Sequence, residues 1–130
     1  MPRPRLGELE TRVMKEVWRG KRVTVHDVRD ALRRKRRTLA YTTVLTTLRN
    51  LEEKGLVAHD VEGRSHVYFP KVGERATARQ VLRDVLDRLF DGSRVRLVDA
   101  LLEDEELSKR EFEALRREIL EMRRKEEGHG

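Results

Sequence analysis

The feature that most restricts the fold of this chain is a change of hydrophobic period at Gly55. Before it, Val44, Leu48 and Leu51 recur at helical spacing, with Tyr41 and Leu45 at the margins of the stripe. Beyond it, Val57-Ala58-His59-Asp60-Val61 and Ser65-His66-Val67-Tyr68-Phe69 flank the turn-like Glu62-Gly63-Arg64 and end at Pro70, which is a hairpin signal. Gly55 suits the left-handed cap that closes a helix running from about Tyr41 to Lys54. A helix followed at once by a short hairpin admits few architectures.

The upstream segments narrow the choice. Leu6, Leu9, Val13 and Val17, with Met14 and Trp18 beside them, predict a first helix that stops near Gly20. A short extended Arg22-Val23 leads to Thr24, which with Asp27 forms a variant capping box. A second helix then runs from Val25 to about Arg34, with Val25, Val28, Ala31 and Leu32 as a narrow inward stripe. Helix, short strand, helix, connector, helix, hairpin is the order of a winged helix-turn-helix. The expected fold is mostly α with a small β-hairpin wing, followed by a helical C-terminal region.

Charge follows the same division. The chain carries 30 Lys and Arg against 24 Asp and Glu, a net charge of +6. The stretch up to Val72 holds 17 basic and 9 acidic residues, net +8, whereas the remainder is net −2. A footprint of that sign on a small domain points to nucleic acid or another anionic surface. A boundary near Pro70 to Gly73 is expected, giving a DNA-binding domain over residues 1–72 and a helical dimerisation domain over 73–130.

At about 100° per residue, the outward arc of the third helix collects Thr42, Thr43, Thr46, Arg49 and Asn50, with Thr47 near the border. So many threonines are poor helix chemistry on a solvated face, because β-branching restricts their rotamers. As a reading surface the face makes sense: Thr methyls meet thymine methyls, hydroxyls and Asn50 meet base edges, and Arg49 meets guanine or phosphate. Thr42, Thr43 and Thr46 are the stronger base readers, since recognition helices read mainly with their N-terminal half. The basic run Arg33 to Arg37 is either a phosphate-clamping connector, through Arg34, Arg36 and Arg37, or a solvated charge cluster. Tyr41 joins the phosphate set. On the hairpin, Arg64 at the tip and His66 are wing contacts, while Tyr68 either flanks DNA or packs on the third helix.

The second half reads as an arm for pairing. Ala78, Val81, Leu82, Val85, Leu86, Leu89 and Phe90 give a wide apolar face broken at Asp91-Gly92. Ser93 can cap a helix bearing Val95, Val98, Leu101 and Leu102. Ser108-Lys109-Arg110-Glu111 is a capping box opening a last helix with Phe112, Leu115, Ile119 and Met122. Three such helices cannot close a core alone, so Val81, Leu82, Val85, Leu86, Leu89, Leu101, Phe112, Leu115 and Ile119 are expected at a homodimer interface. The other arrangement folds this region back onto its own winged domain.

Several blocks carry a closer likeness. Leu6-Gly7-Glu8-Leu9-Glu10, Val23-Thr24-Val25, Leu39-Ala40-Tyr41-Thr42-Thr43-Val44-Leu45-Thr46-Thr47-Leu48, Leu51-Glu52-Glu53-Lys54-Gly55-Leu56-Val57 and Gly63-Arg64 before Val67-Tyr68 together resemble the penicillinase-repressor (BlaI/MecI/CopY-like) family. Gly92-Ser93 and Leu107-Ser108 are similar, more loosely, to its dimerisation region. The resemblance implies a dimeric bacterial repressor that binds an inverted-repeat DNA operator and controls resistance or stress genes. It also implies a membrane sensor protease system as a partner, which triggers cleavage at an Asn–Phe bond. This sequence contains no Asn-Phe pair, and Ala100-Leu101 falls in that neighbourhood. Copper sensing through C-terminal cysteines, another mode of the family, is excluded because the chain has no cysteine.

The absence of cysteine also removes disulfide frameworks, thiol catalysis and Cys-based metal sites. His26, His59, His66 and His129 lack metal-ligand spacing and are expected to be solvated, and the run Glu103, Asp104, Glu105, Glu106 reads as a solvated helix end. No nucleophile elbow, phosphate-binding glycine loop or zinc-peptidase pattern occurs, so no enzyme activity and no cofactor or metal are expected. No apolar stretch approaches a membrane span and Met1-Pro2-Arg3-Pro4-Arg5 leads into no signal-peptide core, which places the expected protein in the bacterial cytoplasm, associated with the nucleoid. The expected function is sequence-specific repression. The alternatives are an architectural DNA-coating protein with little base readout, and a protein-docking adaptor.

Overall fold

The computed structural model describes residues 6–103 and 106–128. Residues 1–5, Asp104 and Glu105 of the acidic run, and His129 lie outside the described residues. Six helices and one hairpin follow in the order α1 (Glu8–Gly20), α2 (Val25–Arg34), α3 (Tyr41–Glu53), β1 (Val57–Glu62), β2 (Ser65–Pro70), α4 (Glu74–Leu89), α5 (Arg94–Leu102) and α6 (Lys109–Gly128). Packing separates two units, one running to Leu82 and the other starting at Arg83, so the first half of α4 groups with the N-terminal elements.

The N-terminal core forms where the three apolar stripes meet. Val13, Met14 and Val17 of α1, Val28 of α2, and Val44, Leu48 and Leu51 of α3 are fully enclosed, with Leu32, Leu56 and Val57 around them. Removing a side chain such as Leu48 from a site of this kind costs about 2–5 kcal/mol. The capping box at Thr24 is present: its hydroxyl accepts the Asp27 N–H at 3.1 Å and its own N–H donates to the Asp27 carboxylate at 2.9 Å. Gly55 takes φ +80° and lets α3 end sharply, with Leu56 N–H donating to the Leu51 carbonyl at 3.0 Å.

β1 and β2 pair antiparallel from Val57↔Pro70 to Glu62↔Ser65, and Gly63 turns the chain at φ +62°. Val23 completes a third short edge, exchanging two backbone hydrogen bonds with Tyr68 at 2.9 and 2.7 Å. The wing is thereby stitched to the segment that enters α2. At its far end the Trp18 indole N–H donates to the Val72 carbonyl at 2.9 Å, tying the exit of the hairpin to α1.

α1 does stop at Gly20, but the left-handed residue is Lys21, at φ +68°. Gly20 is needed for another reason. A Cβ built there would lie 2.3 Å from Cγ1 of Val23, whose own side chain is buried.

In the second unit, Asp91 and Gly92 both adopt positive φ and break the chain after α4, and the Ser93 hydroxyl accepts the Arg96 N–H at 3.2 Å to start α5. The Ser108 hydroxyl does the same for Glu111 at 3.1 Å, at the start of α6. The caps read from the sequence are therefore those that form. No residue of α5 or α6 is buried.

The Gly20 contact yields a test. Gly20→Ala should destabilise the protein by about 1–3 kcal/mol through overpacking against Val23, although at an open helix position the same change stabilises by up to about 1 kcal/mol. Urea unfolding of the two proteins measures the difference. An unchanged or higher midpoint would contradict the close approach.

Candidate nucleic-acid interface

Burying Val44, Leu48 and Leu51 turns the opposite side of α3 outward, and Thr42, Thr43, Thr46, Arg49 and Asn50 are all exposed. The side chain at the border goes the other way. Thr47 is 6% exposed, its hydroxyl satisfied by donating to the Thr43 carbonyl at 2.8 Å, so it belongs to the core and not to the face. α3 opens at Ala40 without a side-chain cap, and its first turn has no acidic residue, whereas those of α1 and α2 do.

Tyr41 is 39% exposed, and its ring lies 4.9 Å from that of His26 at the start of α2. Tyr68 is settled as a core residue: 1% exposed, it packs under the hairpin, and its phenol is pushed above its ordinary pKa by burial and by the Glu52 carboxylate. His66 and Arg64 remain exposed on the wing.

The basic run resolves residue by residue. Arg33 pairs with Asp30 at 2.9 Å and Arg37 with Glu8 at 2.7 Å, while Lys35 reaches the buried carboxylate of Glu16, which Arg19 also holds at 2.7 Å. Arg34 and Arg36 have no carboxylate partner among the described residues. Arg36 sits at φ +64°, at the corner where the connector leaves α2. The run is thus part structural and part open cationic surface.

Two features escaped the sequence reading. His59, expected to be solvated, is half-buried: its Nδ1 lies 2.7 Å from the Glu52 carboxylate, and its ring stacks on His66 at 4.7 Å. The register Val61↔His66 and His59↔Tyr68 puts these residues on one face of the hairpin, a pairing that the strand alternation would have shown once the two-residue turn was fixed. Arg22 is the second. Its guanidinium is shared between Asp60 at 3.0 Å and Glu62 at 2.9 Å on the opposite face of β1, and those hydrogen bonds raise its pKa. The acidic side of the wing is partly offset within the fold, one guanidinium serving two carboxylates. Glu10 ties α1 to the end of α3; burial works to raise its pKa, but the Lys54 ammonium at 2.8 Å and the Gly7 N–H hold it below the ordinary value.

Among the described residues no cluster of His, Asp and Glu could hold a metal ion, and no helix is long and apolar enough to cross a membrane.

Residues 6–121 match the penicillinase repressor family. The chain belongs to that family. It is 39% identical over 128 residues to a transcriptional regulator BlaI of Mycobacterium tuberculosis, covering 97% of this chain and 88% of the relative. It is also 30% identical over 112 residues to the penicillinase repressor of Bacillus licheniformis, covering 86% and 87% respectively. Among solved structures, the DNA-binding domain of the repressor BlaI superposes with a TM-score of 0.50 at 33% identity, over 56% of this chain and 88% of that one. The family is one of transcriptional repressors, so this penicillinase-repressor homologue is a DNA-binding repressor and not an enzyme.

Proposed function

We propose that the chain acts as a homodimer on a palindromic operator, reading bases through Thr42, Thr43, Thr46 and Asn50 of α3 and holding the backbone through Arg34, Arg36 and the wing. The observation that carries this reading is the outward row of short hydroxyl side chains on a helix whose other side is locked in the core. Helix stability does not favour such a row, whereas major-groove readout does. Arg37 and Tyr41 complete the backbone set, with Arg37 exchanging its Glu8 partner for phosphate on binding. In functional terms residues 1–72 serve as the DNA-binding part and 73–130 as the dimerisation part.

Dimerisation is supported by what the second unit leaves open. Val98, Leu101, Leu102, Phe112, Leu115 and Ile119 line an apolar groove of about 230 Å³ between α5 and α6. Leu89, Leu101 and Ile119 are 74%, 52% and 58% exposed, and Val81 and Leu82 are also open. Leu86, by contrast, is 7% exposed in the single chain, so its side chain contributes to internal packing. An apolar surface this extensive on a highly charged chain calls for a second copy. A two-fold axis would then hold two α3 helices at a fixed spacing, and the half-sites would lie one helical turn or a multiple of it apart.

The regulated genes on this reading are those of antibiotic resistance or stress, and the site of action is the bacterial cytoplasm at the nucleoid. Relief of repression by a membrane sensor protease would have to use a bond other than Asn–Phe, which the sequence lacks.

Two experiments test these statements. Thr46→Ala should weaken operator binding by about 1 kcal/mol or more in a base-specific way, whereas Arg36→Ala should weaken all duplexes about equally and lower the salt dependence. Fluorescence anisotropy on the operator and a scrambled duplex separates them, and equal losses on both duplexes for both variants would exclude base readout by α3. Ile119→Glu should sediment as a monomer and lose at least tenfold in operator affinity. A variant that remains dimeric and binds normally would remove α6 from the interface.

A further inference from the structure

An open concavity of about 200 Å³ lies where the start of α2, one flank of α3 and the tip of the wing converge. Its polar lining includes Thr24, His26, Tyr41, Arg49, Arg64 and His66, with Ser65 at the wing tip, and no carboxylate belongs to it. Tyr41, Leu45 and Arg49 are spaced four residues apart and form a row along α3 that is rotated from the Thr42, Thr46, Asn50 row towards the hairpin. Arg49 therefore shares this concavity with Arg64, across from it on the wing. Neither guanidinium has a carboxylate partner among the described residues, whereas Arg22, Arg33 and Arg37 are each paired. The nearby acids are occupied: Glu52 by His59, and Asp27 by the Thr24 cap. That cap already occupies the Asp27 N–H at the entry to α2, and the open cationic side chains of the concavity are the two arginines.

We infer that this concavity seats one backbone phosphodiester of the bound DNA, and that Arg49 and Arg64 clamp it from either side. Arg49 is on this account a phosphate ligand that fixes how α3 enters the groove, not a reader of guanine. The guanidinium fork suits phosphate oxygens, and the Tyr41 and Ser65 hydroxyls supply neutral donors beside it. The wing and α3 then grip the same point of the backbone, which sets the register in which Thr42 and Thr46 meet their bases. This inference rests on α3 and the wing being the DNA face.

The test uses the full-length protein with two duplexes of equal length, one recovered by selection from a random pool and one scrambled. Arg49→Ala and Arg64→Ala should each weaken both duplexes by similar factors of about tenfold and reduce the slope of log affinity against log salt by about one. Single methylphosphonate replacements along the selected duplex should reveal one position per half-site that costs wild type as much, yet costs the Arg49→Ala, Arg64→Ala double variant nothing further. A loss for Arg49→Ala confined to the selected duplex, with the slope intact, would make Arg49 a base reader and overturn the inference, as would a methylphosphonate scan without such a position. Inorganic phosphate at matched ionic strength should leave DNA binding unchanged; saturable competition would assign the seat to free phosphate instead. Sequence-specific binding that survives these failures would leave the repressor reading standing, whereas wild type that binds neither duplex would remove both.

Discussion

The arrangement of the proposed DNA face depends on one constraint: α3 is buried along Val44, Leu48 and Leu51 and cannot rotate about its axis without exposing them. Each of those side chains is worth a few kcal/mol in the core, against a net stability for a domain of this size of about 5–15 kcal/mol. Rotation by even one position is therefore closed to it. The orientation of Thr42, Thr46 and Asn50 follows from that burial and needs no contribution from the polar side chains themselves. The hairpin is held to the same core through Tyr68 and its two hydrogen bonds with Val23, so the wing and α3 share one support.

Electrostatics decide which cations of that surface remain available. The N-terminal stretch has a net charge of +8, yet much of its basic content is committed inside the fold. Lys35 and Arg19 converge on the buried carboxylate of Glu16, and Arg22 partly offsets Asp60 and Glu62 on the wing. The exposed Arg22 pairs add little stability, but they reduce the local acidity of the proposed DNA face. Among the described residues, Arg34, Arg36, Arg49 and Arg64 are left without carboxylate partners. A net charge alone could not have separated these two groups.

The sequence made legible whatever depends on local period and local hydrogen bonding. Helix limits, the Thr24, Ser93 and Ser108 caps, the Gly55 stop and the hairpin turn at Gly63 all follow from neighbours a few residues apart. The outward threonines were legible for the same reason, since helical spacing alone assigns them to one side. What it hid depends on partners distant in sequence. The burial of Tyr68 beside Val23, the contact of His59 with Glu52 and His66, and the crowding of Gly20 by Val23 emerge only once the wing folds back on the helices. Thr47 was a border position, decided by a bond to its own helix backbone.

The C-terminal helices show the other side of the same physics. α5 and α6 are well capped, but none of their residues is buried, and their apolar faces end in an open groove. On a chain with 42% charged residues an apolar surface of this extent supports the proposed dimer. A second copy would complete that core and pair the two reading heads in one step. The most direct measurement is selection of bound sequences from a random duplex pool by the full-length protein at near-physiological salt. The account expects a palindrome with two equal half-sites separated by whole helical turns; tight, salt-sensitive binding that enriches no consensus would contradict it.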